Sequence, residues 1–376
     1  MRRKALIAAA LVCAATIGPA AGSAHAARGM EVAIQDDSVF LNQSWYGRER
    51  AFARAGELGV TRLRVNFIWG REVAHPGDRR APANPGYNFA PYDSLIDQAA
   101  AHGIRVQLTL TGPAPAWATG NRRVGVYKPS ARAFARFAGA VAAHFKGRVD
   151  RYGIWNEPNW KSWLMPHGSS PAIYRHLYVG AYRSIKHADP RAKVLIGETS
   201  PQARGGAGMA PLTWLRAMVG RSHLRADGYA HHPYDYRNSP RRPSSGPNDV
   251  TIASLGRLTH ELSVLAHRRL LRTPNGGALP VYLTEYGYLV HGRFAMDQRR
   301  AASYLAQAFS IALHNGRVKS MLQYGLVSPP FSVSWDSSVI AANGHARRTF
   351  YALRSWVGHA RGSLAKARPL SLPPAR

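Results

Sequence analysis

Cysteine is nearly missing from this chain: Cys13 is the only one among 376 residues. Since it falls in the segment read below as a leader, the remainder has no thiol for a disulfide, a nucleophile or a cysteine-ligated metal. Long apolar runs are missing too, and beyond the leader no stretch reaches the length of a membrane-spanning helix. Acid is scarce, with 20 Asp and Glu against 50 Lys and Arg. No His-Glu-x-x-His pair or other ligand spacing marks a metal site. Gly205-Gly206-Ala207-Gly208 lacks the Lys-Ser/Thr that completes a phosphate loop, so it reads as a flexible rim loop. No cofactor is implied. The 25 prolines and 35 glycines are dispersed, which excludes low-complexity linkers and collagen-like repeats. What remains is 45% hydrophobic, enough for one large core.

The N-terminus has the layout of a secretory signal. Met1-Arg2-Arg3-Lys4 is a basic start, an apolar stretch follows, and Ala24-His25-Ala26 is a small-x-small cleavage site. Residues 1–26 are therefore expected to be removed and the product exported, free of membrane and monomeric. Loss of Arg2, Arg3 and Lys4 lowers the formal charge from +30 to +27. Such an excess attracts polyanions. The basic residues are scattered singly and in pairs such as Arg79-Arg80 and Arg241-Arg242, with no basic stripe interleaved with aromatics. A cationic surface with nonspecific affinity for anionic wall polymers fits this better than a specific nucleic-acid site.

Strand-like runs at 31–35, 62–67, 105–110, 151–156, 193–197, 228–231, 281–285 and 319–324 alternate with amphipathic stretches. The apolar faces are Phe134, Phe137, Val141 and Phe145; Ile173, Leu177, Ala181 and Ile185; Leu255, Leu258, Leu262 and Leu265; and Leu305, Ala308 and Ala312. Strand–helix alternation implies parallel pairing, and eight repeats imply a closed (β/α)8 TIM barrel, with an open doubly wound sheet as the alternative. Helix-to-strand connections are short turns such as His102-Gly103 and Asp189-Pro190. Strand-to-helix connections are long, at 69–92, 111–130, 158–171, 236–249 and 325–345, and in a barrel all of these emerge at the C-terminal face, where active sites lie. A single domain is expected over 27–358, followed by a loose basic tail at 359–376.

Tyr152-Gly153-Ile154-Trp155-Asn156-Glu157-Pro158 places a carboxylate at the end of the fourth strand, and Val281-Tyr282-Leu283-Thr284-Glu285-Tyr286-Gly287 places another at the end of the seventh. In one barrel the two converge on one cleft. Acetal hydrolysis needs such a pair, one protonated to assist the leaving oxygen and one ionised to attack or to activate water.

With Asn-Glu-Pro at the fourth strand and Thr-Glu at the seventh, the sequence resembles the clan of retaining (β/α)8 glycoside hydrolases that includes cellulases, mannanases and β-xylosidases. Its last helix, around Arg347-Arg348-Thr349-Phe350-Tyr351, looks like that of secreted members related to families 39 and 5. The resemblance implies Glu157 as general acid/base, Glu285 as nucleophile and Asn156 as donor to the sugar 2-hydroxyl. It matches the second-strand arginine to Arg64, the sixth-strand His-x-Tyr to His232-Pro233-Tyr234, with Tyr234 bonding the nucleophile, and the eighth-strand tryptophan to Trp335. It implies cleavage of β-linked bonds in a poly- or oligosaccharide with retention.

His231 and His232 are neighbours in a strand and face opposite ways, so at most one enters the cleft, and His232 is chosen. Arg64 has an alternative as a barrel-filling ion pair. Glu198 is a rival acid, a subsite contact or a structural pair. Trp69, Trp117, Trp160, Trp163 and Tyr236 sit in the rim loops, where aromatics either stack on pyranose faces or pack the loops down; Trp160 and Trp335 are the chosen sugar contacts. A catalytically silent carbohydrate- or wall-binding barrel is the alternative to an enzyme.

Overall fold

The computed structural model describes residues 29–203 and 206–360. The expected leader lies outside the described residues, as does the expected tail except for His359 and Ala360, which are not loose but complete the last helix, Arg348–Ala360, where Ala360 is buried. Eight parallel strands close into a barrel: β1 (Glu31–Gln35), β2 (Arg62–Ile68), β3 (Arg105–Thr111), β4 (Arg151–Ile154), β5 (Lys193–Thr199), β6 (Gly228–His231), β7 (Val281–Leu283) and β8 (Val318–Tyr324). Each pairs with its sequence neighbours, and β1 closes on β8 from Glu31 opposite Ser320 to Gln35 opposite Tyr324. The open-sheet alternative is thereby excluded. Two dipeptide strands, Leu224–Arg225 and Leu271–Arg272, pair outside the barrel and were too short to show in the sequence pattern.

Eight longer helices follow the strands: α1 (Arg48–Glu57), α2 (Ala90–Ala101), α3 (Ala131–His144), α4 (Ser170–Ala188), α5 (Pro211–Val219), α6 (Leu255–His267), α7 (Gln298–His314) and α8 (Arg348–Ala360). Helix α3 begins where the Ser130 side chain accepts from the Ala133 N–H, capping an otherwise orphaned donor. Its Phe134, Phe137 and Val141 are buried against the strands, as their spacing requires. In α4 the buried stripe is Tyr174, Leu177, Tyr178, Ala181 and Ile185, and Ile173 is only partly buried. The tyrosines displace it because each buries a larger ring on the strand side of the helix.

The main apolar core lies between the outer face of the barrel and the helices. Inside the barrel Leu195, Ala230 and Tyr282 form a small apolar cluster. Below it, at the strand starts, Glu31 pairs with Arg62 at 3.0 Å and with Arg151 at 2.7 Å, while Arg62 reaches Asp150 at 2.5 Å. Above it, the C-terminal strand ends carry a second buried charge cluster. No described helix is long and apolar enough to cross a membrane.

Candidate active site

Two strands stop earlier than their sequence pattern suggests. β4 ends at Ile154, not 156, because Trp155 turns to φ 63° and Glu157 to φ 37°. The ladder continues only as single bonds, from Trp155 N–H to the Leu110 carbonyl at 2.8 Å and from Glu157 N–H to the Glu198 carbonyl at 2.9 Å. β7 ends at Leu283, not 285, with Thr284 N–H still donating to the His231 carbonyl at 3.0 Å. Asn156, Glu157 and Glu285 are thus lifted off the sheet onto the barrel rim. Left-handed backbone costs a non-glycine residue about 1–3 kcal/mol and persists where the surroundings over-determine it, commonly at functional sites.

A cleft of about 470 Å³ opens here, lined by Asn66, Asn156, Glu157, Trp160, Trp163, Tyr234, Tyr236, Glu285, Tyr324 and Trp335 among others. Arg64 is fully buried beneath it. Its guanidinium donates to Glu285 Oε1 at 2.7 Å, Asn156 Oδ1 at 2.9 Å, Thr109 Oγ1 at 2.9 Å and Glu198 Oε2 at 3.3 Å, and also to Gln35 Oε1. Burial alone would weaken its proton affinity, but the surrounding Glu198, Glu285 and Asp37 carboxylates reverse that and hold it firmly cationic. Tyr234 donates its hydroxyl to Glu285 Oε2 at 3.1 Å. The nucleophile candidate is therefore held from both oxygens. Asn156, with its carbonyl bound to Arg64, has its amide nitrogen left to donate toward the cleft.

His232 is buried, with Nδ1 3.0 Å from Glu157 Oε1 and 3.7 Å from Glu285 Oε2, and Nε2 3.0 Å from Glu198 Oε2. Burial pushes such an imidazole toward neutrality, but Glu285, Glu157 and Glu198 overcome it and raise its pKa to about 9. His231 turns the other way, to Thr199 Oγ1 and the Val250 carbonyl, both at 2.9 Å, and burial pushes its pKa down to about 3. Glu198 has no exposed surface, so of its three possible roles it takes that of a buried ionic partner.

Trp160 and Trp335 both line the cleft, as do Trp163 and Tyr236. Trp335 is 37% exposed and packs its edge against Tyr234 and Tyr236 at 5.2 and 5.4 Å between ring centres. Trp69 does not reach the cleft: it is buried and stacks on Phe137 of α3, with Trp117 set edge-on against it. Sequence reasoning missed Asn66 and Tyr324 as lining residues. Asn66 had a usable signal, since it stands two residues beyond Arg64 on β2 and shares its face.

No family model matches the chain. A stretch of 110 residues is 33% identical to a phospho-cellobiase of Klebsiella oxytoca, covering 27% of this chain and 22% of that protein. Among solved structures, a family 39 glycoside hydrolase from the gut symbiont Bacteroides cellulosilyticus WH2 superposes with a TM-score of 0.65 at 17% identity, over 90% of this chain and 65% of the other. A monomeric β-xylosidase from Caulobacter crescentus CB15 gives 0.59 at 18% identity, over 87% and 67%. Xylanase 10B from Thermotoga petrophila RKU-1, in complex with xylobiose, gives 0.58 at 17% identity, over 88% and 94%. The chain thus spans about a fifth of the curated relative and about two thirds of the family 39 structure. At these identities the likeness is one of architecture, and the chain has the (β/α)8 barrel of the glycoside hydrolase structures it matches.

Proposed function

We propose that this chain is a secreted retaining glycoside hydrolase that cleaves β-linked bonds in poly- or oligosaccharides, with Glu157 as acid/base and Glu285 as nucleophile. The observation that carries this is the unequal support of two carboxylates facing one cleft. Glu285 is held at both oxygens, Oε1 by the Arg64 guanidinium at 2.7 Å and Oε2 by the Tyr234 hydroxyl at 3.1 Å, which fixes the orientation an attacking carboxylate needs. Among the described residues Glu157 is held at one oxygen only, Oε1 by His232 Nδ1 at 3.0 Å, which leaves Oε2 as the oxygen that can pass a proton to and from a substrate. One imidazole nitrogen lies within 4 Å of both, a compact arrangement favouring the roughly 5–5.5 Å separation of retaining pairs over the 6.5–9.5 Å of inverting ones. Asn156 is the donor to the sugar 2-hydroxyl, and Trp160 and Trp335 are apolar platforms for pyranose faces. The leader supports export.

The test has two stages. The purified protein is screened on β-linked polysaccharides, xylo-oligosaccharides among them, and on aryl glycosides, with proton NMR of the first-formed anomer. A retained anomer is expected, and an inverted one would remove Glu285 from the role of nucleophile. Glu285→Ala should fail on every substrate. Glu157→Ala should still attack an aryl glycoside whose phenolate leaves unaided, then stall until a small anion such as azide completes turnover. Oligosaccharide binding without hydrolysis of anything would establish the silent binding barrel instead.

A further inference from the structure

Glu198 is the most deeply buried acid of the molecule's upper charge cluster, and the assignments above leave it unused. Its placement is costly. It sits at φ 51° directly after Gly197 at φ 113°, in an irregularity where β5 slips register against β6. The pair of left-handed residues turns the Glu198 side chain into the barrel instead of along the strand. Gly197 has to be glycine here, because a Cβ would lie 2.6 Å from the Ala230 carbonyl oxygen and 2.8 Å from the Tyr229 ring. Room on the other side comes from Gly153 of β4, where a Cβ would overlap Glu198 Oε1. Two glycines and a strained backbone thus make space for one carboxylate.

Glu198 Oε2 receives the Thr284 hydroxyl at 2.6 Å, Arg64 Nη2 at 3.3 Å and His232 Nε2 at 3.0 Å, while Oε1 receives the Thr109 hydroxyl at 3.4 Å. Burial opposes ionisation of this carboxyl, but Arg64, His232 and the Thr284 hydroxyl hold its pKa below the usual carboxylate range. His232 then has a carboxylate at each ring nitrogen. A neutral imidazole can donate from one nitrogen only, so the doubly protonated ring is the form that donates to both carboxyl groups, in line with its raised pKa.

We propose that Glu198 is a positioning residue for the acid/base: it anchors His232 as an imidazolium whose Nδ1–H ties down Oε1 of Glu157, leaving Oε2 as the oxygen that carries the proton to the glycosidic bond. The proposal rests on the hydrolase assignment of Glu157. The groups facing His232 are Glu157 beyond β4, Glu198 on β5, Glu285 beyond β7, the neighbouring His231 and the Tyr234 ring; Arg64 reaches it through Glu198 and Glu285. Replacing one buried carboxylate by an amide lowers the proton affinity of the whole set, whichever member releases the proton first.

The test is Glu198→Gln, read by nitrogen-15 NMR of the His232 ring and by the pH profile of kcat/KM. In the wild-type protein both ring nitrogens should stay protonated through pH 8. In the variant His232 should titrate about one to two units lower, the alkaline limb of the rate profile should move down with it, and kcat should fall about tenfold or more. Glu198→Asp, which keeps the charge, should restore the His232 titration. Should Glu198→Gln not fold, Thr284→Val serves, because it removes a donor and keeps the charge; there His232 should remain doubly protonated. An unchanged His232 titration and pH profile in Glu198→Gln, or a downward shift in Thr284→Val, would overturn the proposal. The NMR arm needs no turnover, so failure of the hydrolase assignment, seen as no hydrolysis on the substrate panel, remains distinct from failure of the Glu198 assignment.

Discussion

Arg64 and Tyr234 divide the task of holding Glu285, and they differ in what else depends on them. Tyr234 supplies one hydroxyl and packs its ring against Trp335. Tyr234→Phe should therefore lower kcat about ten- to a hundredfold, the value of a hydrogen bond to a charged group, with the thermal midpoint little changed. Arg64 is different because it is also the guanidinium partner of buried Glu198. Arg64→Met should abolish activity and also destabilise the protein by about 3–5 kcal/mol, since it leaves buried carboxylates short of a cation. Denaturant unfolding beside steady-state rates checks both, and equal stability of the two variants would contradict the buried network.

At the scale of elements, the strands carry chemistry at one end and ion pairs at the other. Glu31, at the start of β1, is desolvated by burial, yet Arg151 and Arg62 hold its pKa at about 2. A carboxylate whose folded pKa lies below its unfolded value stabilises the fold above the unfolded value and loses that contribution as pH falls through the folded one. From 4.5 down to about 2 the difference corresponds to about 3 kcal/mol. Glu31→Gln should consequently be less stable than wild type by about that much at neutral pH, and the gap should close toward pH 2. Thermal melts at both pH values check it; a gap that persists in acid would mean packing, and not charge, is what the substitution removes.

The elements also show where periodicity is a sufficient guide. Glu31–Gln35 and Gly228–His231 form over the residues their pattern marks, because alternation along a strand depends only on neighbours in the chain. The ends of β4 and β7 do not, because they are set by rim contacts: Glu157 N–H reaches across to β5, and Thr284 to β6. Those contacts come from residues distant in sequence, and no local window contains them.

For the whole molecule, charge is the dominant feature. A chain with a formal charge of +30 should adsorb to anionic polymers with an affinity that falls steeply with salt. Sedimentation with an anionic wall polymer and with a neutral glycan, at low and at physiological ionic strength, would measure it. Adsorption to the anionic polymer that ignores salt would point to specific recognition instead.

The sequence by itself determined the barrel, the strands that bear the two carboxylates, and the company of Arg64, Asn156, His232 and Tyr234 at the same end. Parallel strands alternating with helices close in one way, and chain order then dictates which strand ends share a rim. The tertiary structure alone decided that Trp69 packs inward while Trp163 lines the cleft, and that Glu198 lies under the site instead of in it. Rim loops have no period to read, so their side chains go where the space between neighbouring loops allows. The position of Glu198 depends on a local turn of backbone and on the gap left by a glycine one strand away, and only the assembled barrel brings the two together.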